Sequence, residues 1–273
     1  MSILTLAASR RWLGWLAFTI LFAVVCVALA QWQWQRRLDV VADIRVVAEN
    51  WDAAPVALDD ALADGEMLDP AREWTPIVVE GVYLVEDQLL ARNRPLSGRP
   101  GFAVLTPLLL DDGRVLVVDR GWLPSGSAQD SPDVVPAPPP GRVEVLLRLK
   151  PGEPTLPGRG APEGQIATIH LPDIAERVSA GEVVTGAYGL MAEEEPAPRE
   201  RPVAAVRPVA DEGPHLSYTF QWYLFALLGF VGYGWALRQE WRTENGVVVQ
   251  PRRQRTERSD NDEEDALLDV ELR

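Results

Sequence analysis

The sequence predicts a membrane α+β protein, with two transmembrane helices flanking an extracytoplasmic, mainly antiparallel β domain of barrel or sandwich type that carries one short helix. Three observations predict it. Two charge-free apolar runs stand near the ends of the chain, a polar stretch long enough for one compact domain separates them, and that stretch breaks into short apolar segments punctuated by turn signals.

The first apolar run, residues 12–30, is about 19 residues long, which at helical rise just crosses a hydrocarbon core of about 30 Å. The second occupies residues 215–237. Inside hydrocarbon only helices and closed barrels satisfy their backbone polar groups, and two isolated segments close no barrel. Arg10 and Arg11 before the first span, and Arg238, Arg242, Arg252, Arg253, Arg255 and Arg258 after the second, place both termini in the cytoplasm. Residues 1–11 are then a cytoplasmic lead and residues 31–214 the extracytoplasmic domain. The competing reading of the first span is a cleaved leader, for which Ala28-Leu29-Ala30 offers the site. Its length, and the aromatic belt residues Trp32 and Trp34, favour a retained span.

Within the domain, residues 77–84, 88–92, 102–110, 114–119 and 143–149 read as strands. The turn Asp111-Asp112-Gly113 joins two of them as a hairpin. Leu171-Pro172-Asp173 opens a short helix over residues 171–179. Residues 51–69 read as a helical or irregular lead-in. The proline-dense stretches 131–140 and 193–207 read as loops unsuited to a central strand. Residues 238–273 form a charged tail whose basic and acidic blocks predict disorder.

Chemistry is sparse. The single cysteine, Cys26, lies in the first apolar run, so the domain folds without a disulfide and offers no Cys/His zinc set. No nucleophile elbow or phosphate loop is present, so no catalytic residue is assigned and the chain does not read as an enzyme. A net charge of −14 without a basic stripe argues against nucleic acid. His170 ends a strand and reads as structural. His215, Tyr218, Trp222, Phe225, Gly229 and Tyr233 fall in one stripe of the second helix. That stripe fits either a flat apolar macrocycle with His215 as an axial iron ligand, or an interfacial aromatic belt with glycines for helix packing.

Several ordered motifs resemble one family. They are Gln31-Trp32-Gln33-Trp34-Gln35-Arg36 after the first span, Gly81-Val82-Tyr83-Leu84, Asn93-Arg94-Pro95, Pro100-Gly101-Phe102, Val104-Leu105-Thr106-Pro107-Leu108, Asp119-Arg120-Gly121-Trp122-Leu123-Pro124, and His215-Leu216-Ser217-Tyr218 with Gln221-Trp222. Together they are similar to the surfeit locus protein family of cytochrome c oxidase assembly. Asp119 departs from the pattern, which has an uncharged residue there in many members. The resemblance implies a biogenesis factor in the plasma membrane that assists haem a insertion or stabilises the catalytic subunit of an aa3-type respiratory-chain oxidase. Its partners would be that subunit, other assembly factors and the lipid bilayer. Carried over, the histidine proposed to meet haem is His215; the helical stripe would set Tyr218 and Trp222 beside the ring as it binds transiently. Arg94, Arg99 and Arg120 are candidates for the haem propionates; their other reading is bonding to local carbonyls. Trp122 is either a partner-facing anchor or a core residue. The alternative function is a membrane-anchored envelope sensor or scaffold with no role in haem.

Overall fold

A computed structural model of the chain describes residues 2–63, 65–127 and 131–246. The helices are α1 (Ile3–Ala7), α2 (Arg10–Asn50), α3 (Leu58–Ala61), α4 (Leu171–Ala175) and α5 (His215–Glu244). The strands are β1 (Pro76–Tyr83), β2 (Leu89–Ala91), β3 (Gly101–Leu110), β4 (Arg114–Pro124), β5 (Arg142–Lys150), β6 (Gln165–Ile166), β7 (Glu182–Val183) and β8 (Tyr188–Glu195). Two compact units result, one of Met1–Arg37 with Gly213–Arg273 and one of Leu38–Glu212.

The first unit is a helical hairpin. Helices α2 and α5 are long and apolar enough to cross a membrane. Their contact is made by small residues and edge-on aromatics. Ala23, Cys26 and Ala226 form one buried cluster with Trp222 against it, and Leu6, Trp12 and Leu237 form a second. Trp12 meets Tyr233 edge to face at 5.4 Å. A methyl group added at Gly229 would stand 3.2 Å from Phe22, so that glycine permits the close approach.

Helix α2 runs on beyond residue 30, where the expected span ends. Residues 31–50 contain neither glycine nor proline, so nothing breaks the hydrogen-bond ladder until Asn50. There the Asn50 amide donates to the carbonyls of Ala71 and Glu73, both at 2.8 Å. Helix α5 likewise runs to Glu244, past the expected start of the disordered tail. The rest of that tail, residues 247–273, lies outside the described residues.

The second unit is built on a closed five-stranded barrel, β1–β3–β4–β8–β5 and back to β1. All of its pairings are antiparallel except β4 with β8, which run parallel. Strand β2 extends the sheet from β3, and the two-residue strands β6 and β7 add parallel to β2 and β4. The five expected strands are present, and β4 reaches Pro124 rather than residue 119. The expected hairpin is there too, with Gly113 at φ +89° and Asp112 accepting the Arg114 N–H at 2.9 Å.

Side-chain alternation fills two cores. Leu108, Leu110, Leu116, Val118, Val145 and Leu147 belong to the cluster inside the barrel. Ala103, Leu105 and Val117 point to the other side, where Ile169, Leu171 and Ile174 of the α4 segment cover them. This second cover is why β3 and β4 read as nearly continuous apolar runs.

Strand β8 was not expected, because Glu193-Glu194-Glu195 reads as solvated charge next to prolines. Alternation resolves it. Glu193 and Glu195 are exposed while Glu194 turns inward, opposite Val145. Inside, Arg120 follows the inward parity of Leu116 and Val118. The two side chains are almost wholly excluded from solvent, at 0% and 1% exposure, with Arg120 Nη2 3.6 Å from Glu194 Oε1. The guanidinium also sits 5.5 Å from the Tyr83 ring and donates to the Pro136 carbonyl at 2.9 Å. Burial, with Glu194 adding to it, raises the Tyr83 pKa and keeps the phenol neutral.

Removing one partner of such a pair leaves an uncompensated buried charge. Arg120→Ala should therefore lower the stability of the detergent-solubilised protein by about 3–5 kcal/mol, whereas Arg120→Met combined with Glu194→Leu should return it close to the starting value. Chemical denaturation of the three proteins checks this, and equal losses in the single and double variants would contradict it.

Candidate functional site

Helix α5 begins at His215, behind Pro214, without a side-chain cap. His215 is half-buried, and its Nδ1 lies 2.9 Å from the Gln33 Oε1 on α2. An amide oxygen accepts, so the ring proton belongs on Nδ1 and the Nε2 lone pair is left to meet a ligand. A metal-binding histidine is commonly oriented by such a partner on its other nitrogen. Two further contacts fix this end of the hairpin. Thr219 Oγ1 donates to the His215 carbonyl, and Gln31 Nε2 donates to the Tyr223 hydroxyl at 2.7 Å.

The expected stripe on α5 divides between two tasks. Trp222, Gly229 and Tyr233 pack against α2, so those positions serve the hairpin. Tyr218 and Phe225 remain exposed, at 44% and 36%, and Phe225 meets the Trp222 edge at 5.8 Å. Of the aromatics that follow His215 on α5, Tyr218 is thus open to the surroundings and Trp222 is turned to α2. Sequence reading missed Gln33 as the partner of His215, although it stands in the Gln-Trp-Gln-Trp run after the first span.

The arginines belong to the second unit. Arg120 is enclosed in the barrel and bonds a local carbonyl, as described. Arg94 forms a bidentate pair with Glu153, at 2.7 and 2.6 Å, and Glu153 also accepts the Ile169 N–H at 2.9 Å. This pair overcomes burial on both sides, raising the Arg94 pKa and lowering that of Glu153. Arg99 is exposed in the turn where Leu96 and Arg99 bridge. Trp122 donates through Nε1 to the Arg94 carbonyl, its backbone pairs with Val203 in both directions, and Gly101 lies against its ring. It is half-buried and fastens the Arg94 turn to β4. His170, just before α4, has Nδ1 2.9 Å from Asp173 and serves as a local brace.

Asp119 stands on the outer face of β4 beside this cluster. Burial pushes its carboxyl up to about 7, against the opposing pull of the Gly121 N–H, which it accepts at 2.9 Å, and of Arg94. Burial and then Asp119 also raise the neighbouring Tyr188. The arrangement holds together the turn at residues 93–100, the segment before α4 and the end of β4. Among the described residues no cluster of three or more His, Cys, Asp or Glu side chains forms a metal site.

A profile of the SURF1 family matches residues 20–227, from within α2 to within α5. Uncharacterised SURF1-like proteins of Mycobacterium bovis and of two Mycobacterium tuberculosis strains are each 30% identical over 230 residues, covering 81% of this chain and 83% of the relative.

The raised Asp119 pKa has a definite sign for stability. Its contribution is fully present below the ordinary value of 3.8, where folded and unfolded carboxyls are both protonated, and is lost as pH rises through about 7. Asp119→Asn keeps an acceptor for Gly121 and carries no charge. It should stabilise the protein at pH 8 by up to about 4 kcal/mol, with a smaller gain at pH 5. Thermal melts at the two pH values measure the difference, and a gain independent of pH would rule out burial of the charge as its source.

Proposed function

The chain belongs to the SURF1 family, and from that premise we propose that it is a membrane-anchored assembly factor for haem-copper, aa3-type cytochrome c oxidase, assisting haem a insertion or steadying the catalytic subunit as it receives haem. The observation that carries the reading is the family match running through both apolar helices and the barrel, with His215 inside it. A single envelope-anchored barrel on two spans, with no cluster of three or more His, Cys, Asp or Glu among the described residues, suits a chaperone-like role.

Haem a is cargo here. His215 would present Nε2 to the iron, Gln33 holding the ring by its other nitrogen, and the exposed Tyr218 ring would border the macrocycle while Trp222 braces the helix from behind. In this reading the buried Arg120 would take no part in holding propionates, and Arg94 would have to give up Glu153 to do so. Partners in this reading are the oxidase catalytic subunit and other assembly factors. Both termini are cytoplasmic and the barrel lies outside the plasma membrane, because Arg10, Arg11, Arg238 and Arg242 flank the spans on one side.

Two measurements test these statements. Membranes of cells lacking the chain should lose the a-type haem band in a reduced-minus-oxidised spectrum while b- and c-type bands persist. His215→Ala should then fail to restore the band and Gln33→Leu should restore it only in part; an unchanged a-type band in the deletion strain overturns the function. For topology, Cys26 is buried, so Glu86→Cys supplies an exposed thiol on the domain. A membrane-impermeant maleimide should label it in intact cells, and labelling only after lysis would invert the orientation.

A further inference from the structure

The helical hairpin leaves a second feature, removed along its length from His215. A lateral groove of about 740 Å³ runs between α2 and α5. One wall is aromatic, with Trp15, Phe18 and Phe22, and the other is Gly229, Gly232 and Ala236, whose small side chains expose the helix surface. Its end is ionic. Arg11 pairs there with Glu240, and the Trp12 indole N–H donates to the same carboxylate at 3.3 Å. The Arg11 side chain is still 61% exposed.

We propose that this groove seats one chain of an anionic glycerophospholipid, whose phosphate is held by Arg11 at the mouth. The volume is that of a small-molecule site rather than of a crossing helix. Occupancy by a lipid follows from the membrane-spanning reading of α2 and α5, on which this inference rests. The choice of an anionic lipid follows from charge. At this end of the hairpin Arg10, Arg11, Arg238 and Arg242 outnumber Glu240 and Glu244, an excess of basic groups of the kind that draws acidic head groups to the cytoplasmic leaflet. Arg11 keeps free donors after pairing with Glu240, and its planar guanidinium suits phosphate oxygens.

Two glycines make the test specific. A Cβ at Gly232 or at Gly234 would meet nothing within 4 Å, so a side chain can leave the helix at either place without a clash at its first atom, yet only Gly232 lines the groove. The full chain is reconstituted in phosphatidylcholine vesicles carrying a trace of spin-labelled phosphatidylglycerol or spin-labelled phosphatidylcholine. The motionally restricted fraction of each label is read by electron paramagnetic resonance. The expected result is a preference of roughly fivefold or more for phosphatidylglycerol, the scale of one basic residue at a membrane surface. Gly232→Leu and Arg11→Gln should remove it, and Gly234→Leu should leave it intact.

Equal restriction of the two labels by protein that floats with the vesicles overturns the groove and leaves the membrane reading standing. A preference lost in Arg11→Gln but kept in Gly232→Leu also overturns it, since attraction to the basic collar then needs no seat. Full-length protein that does not float with the vesicles removes the premise as well, and the proposal with it.

Discussion

The parallel pairing of β4 with β8 is the contact on which the rest of the barrel domain depends. Strands β1, β3, β4 and β5 alone form a sheet with two open edges, and β8 closes it by meeting β4 on one side and β5 on the other. Closure removes the edges that would otherwise invite pairing with another chain. It also fixes the register that brings Glu194 inside, and so sets the environment of Arg120. A strand with three successive glutamates is a poor apolar surface, yet one inward carboxylate suffices when an arginine waits opposite. The pair need not add much net stability, because desolvation offsets most of its attraction. The register itself rests on the strand's apolar residues: slipping β8 by one residue would put Glu193 or Glu195 in the place of Glu194 but turn the buried Met191 out of the core.

A similar economy operates in the helical hairpin. Hydrocarbon gives two apolar helices no hydrophobic reason to associate, so contact depends on close fit and on a few polar links. Gly229 against Phe22 supplies the fit, and His215–Gln33 with Gln31–Tyr223 supplies links at one end. At the other end Trp12, Tyr233, Arg11 and Glu240 do the same. Both ends are fastened, while the stretch between them is held by small residues.

Much of this was legible in the sequence, and the exceptions share a physical cause. The two long apolar helices announced themselves by length and lack of charge, and four of the five barrel strands as short apolar runs between turns. The β3–β4 hairpin followed from Asp111-Asp112-Gly113 between two apolar runs. What could not be read was whatever depends on a partner distant in sequence. Glu194 looks solvated until Arg120 is opposite it, and Arg120 looks like a strand-end arginine until the barrel closes around it. Local polarity also hid the continuation of α2, since residues 31–50 leave the apolar pattern while keeping every requirement for helix. At the candidate site the sequence supplied His215 and its aromatic neighbours but not their division of labour. Period alone put Tyr218 and Trp222 in one stripe; packing assigned Trp222 to the hairpin and left Tyr218 outside.

For the proposed role, the sparseness of ligands around His215 is itself informative. A storage protein needs a site from which its cargo seldom escapes, and two strong axial ligands provide one. Transfer needs the reverse, a contact strong enough to orient and weak enough to release, because a carrier shifts its cargo onward only if the recipient binds it better. Among the described residues, the only other histidine, His170, belongs to the other compact unit and is braced by Asp173. One imidazole, held by a neutral amide rather than a carboxylate, is also a less basic ligand than a carboxylate-backed one. In the proposed role, the single contact of His215 with Gln33 would suit passage of haem better than retention, and tight binding would fall to the oxidase subunit.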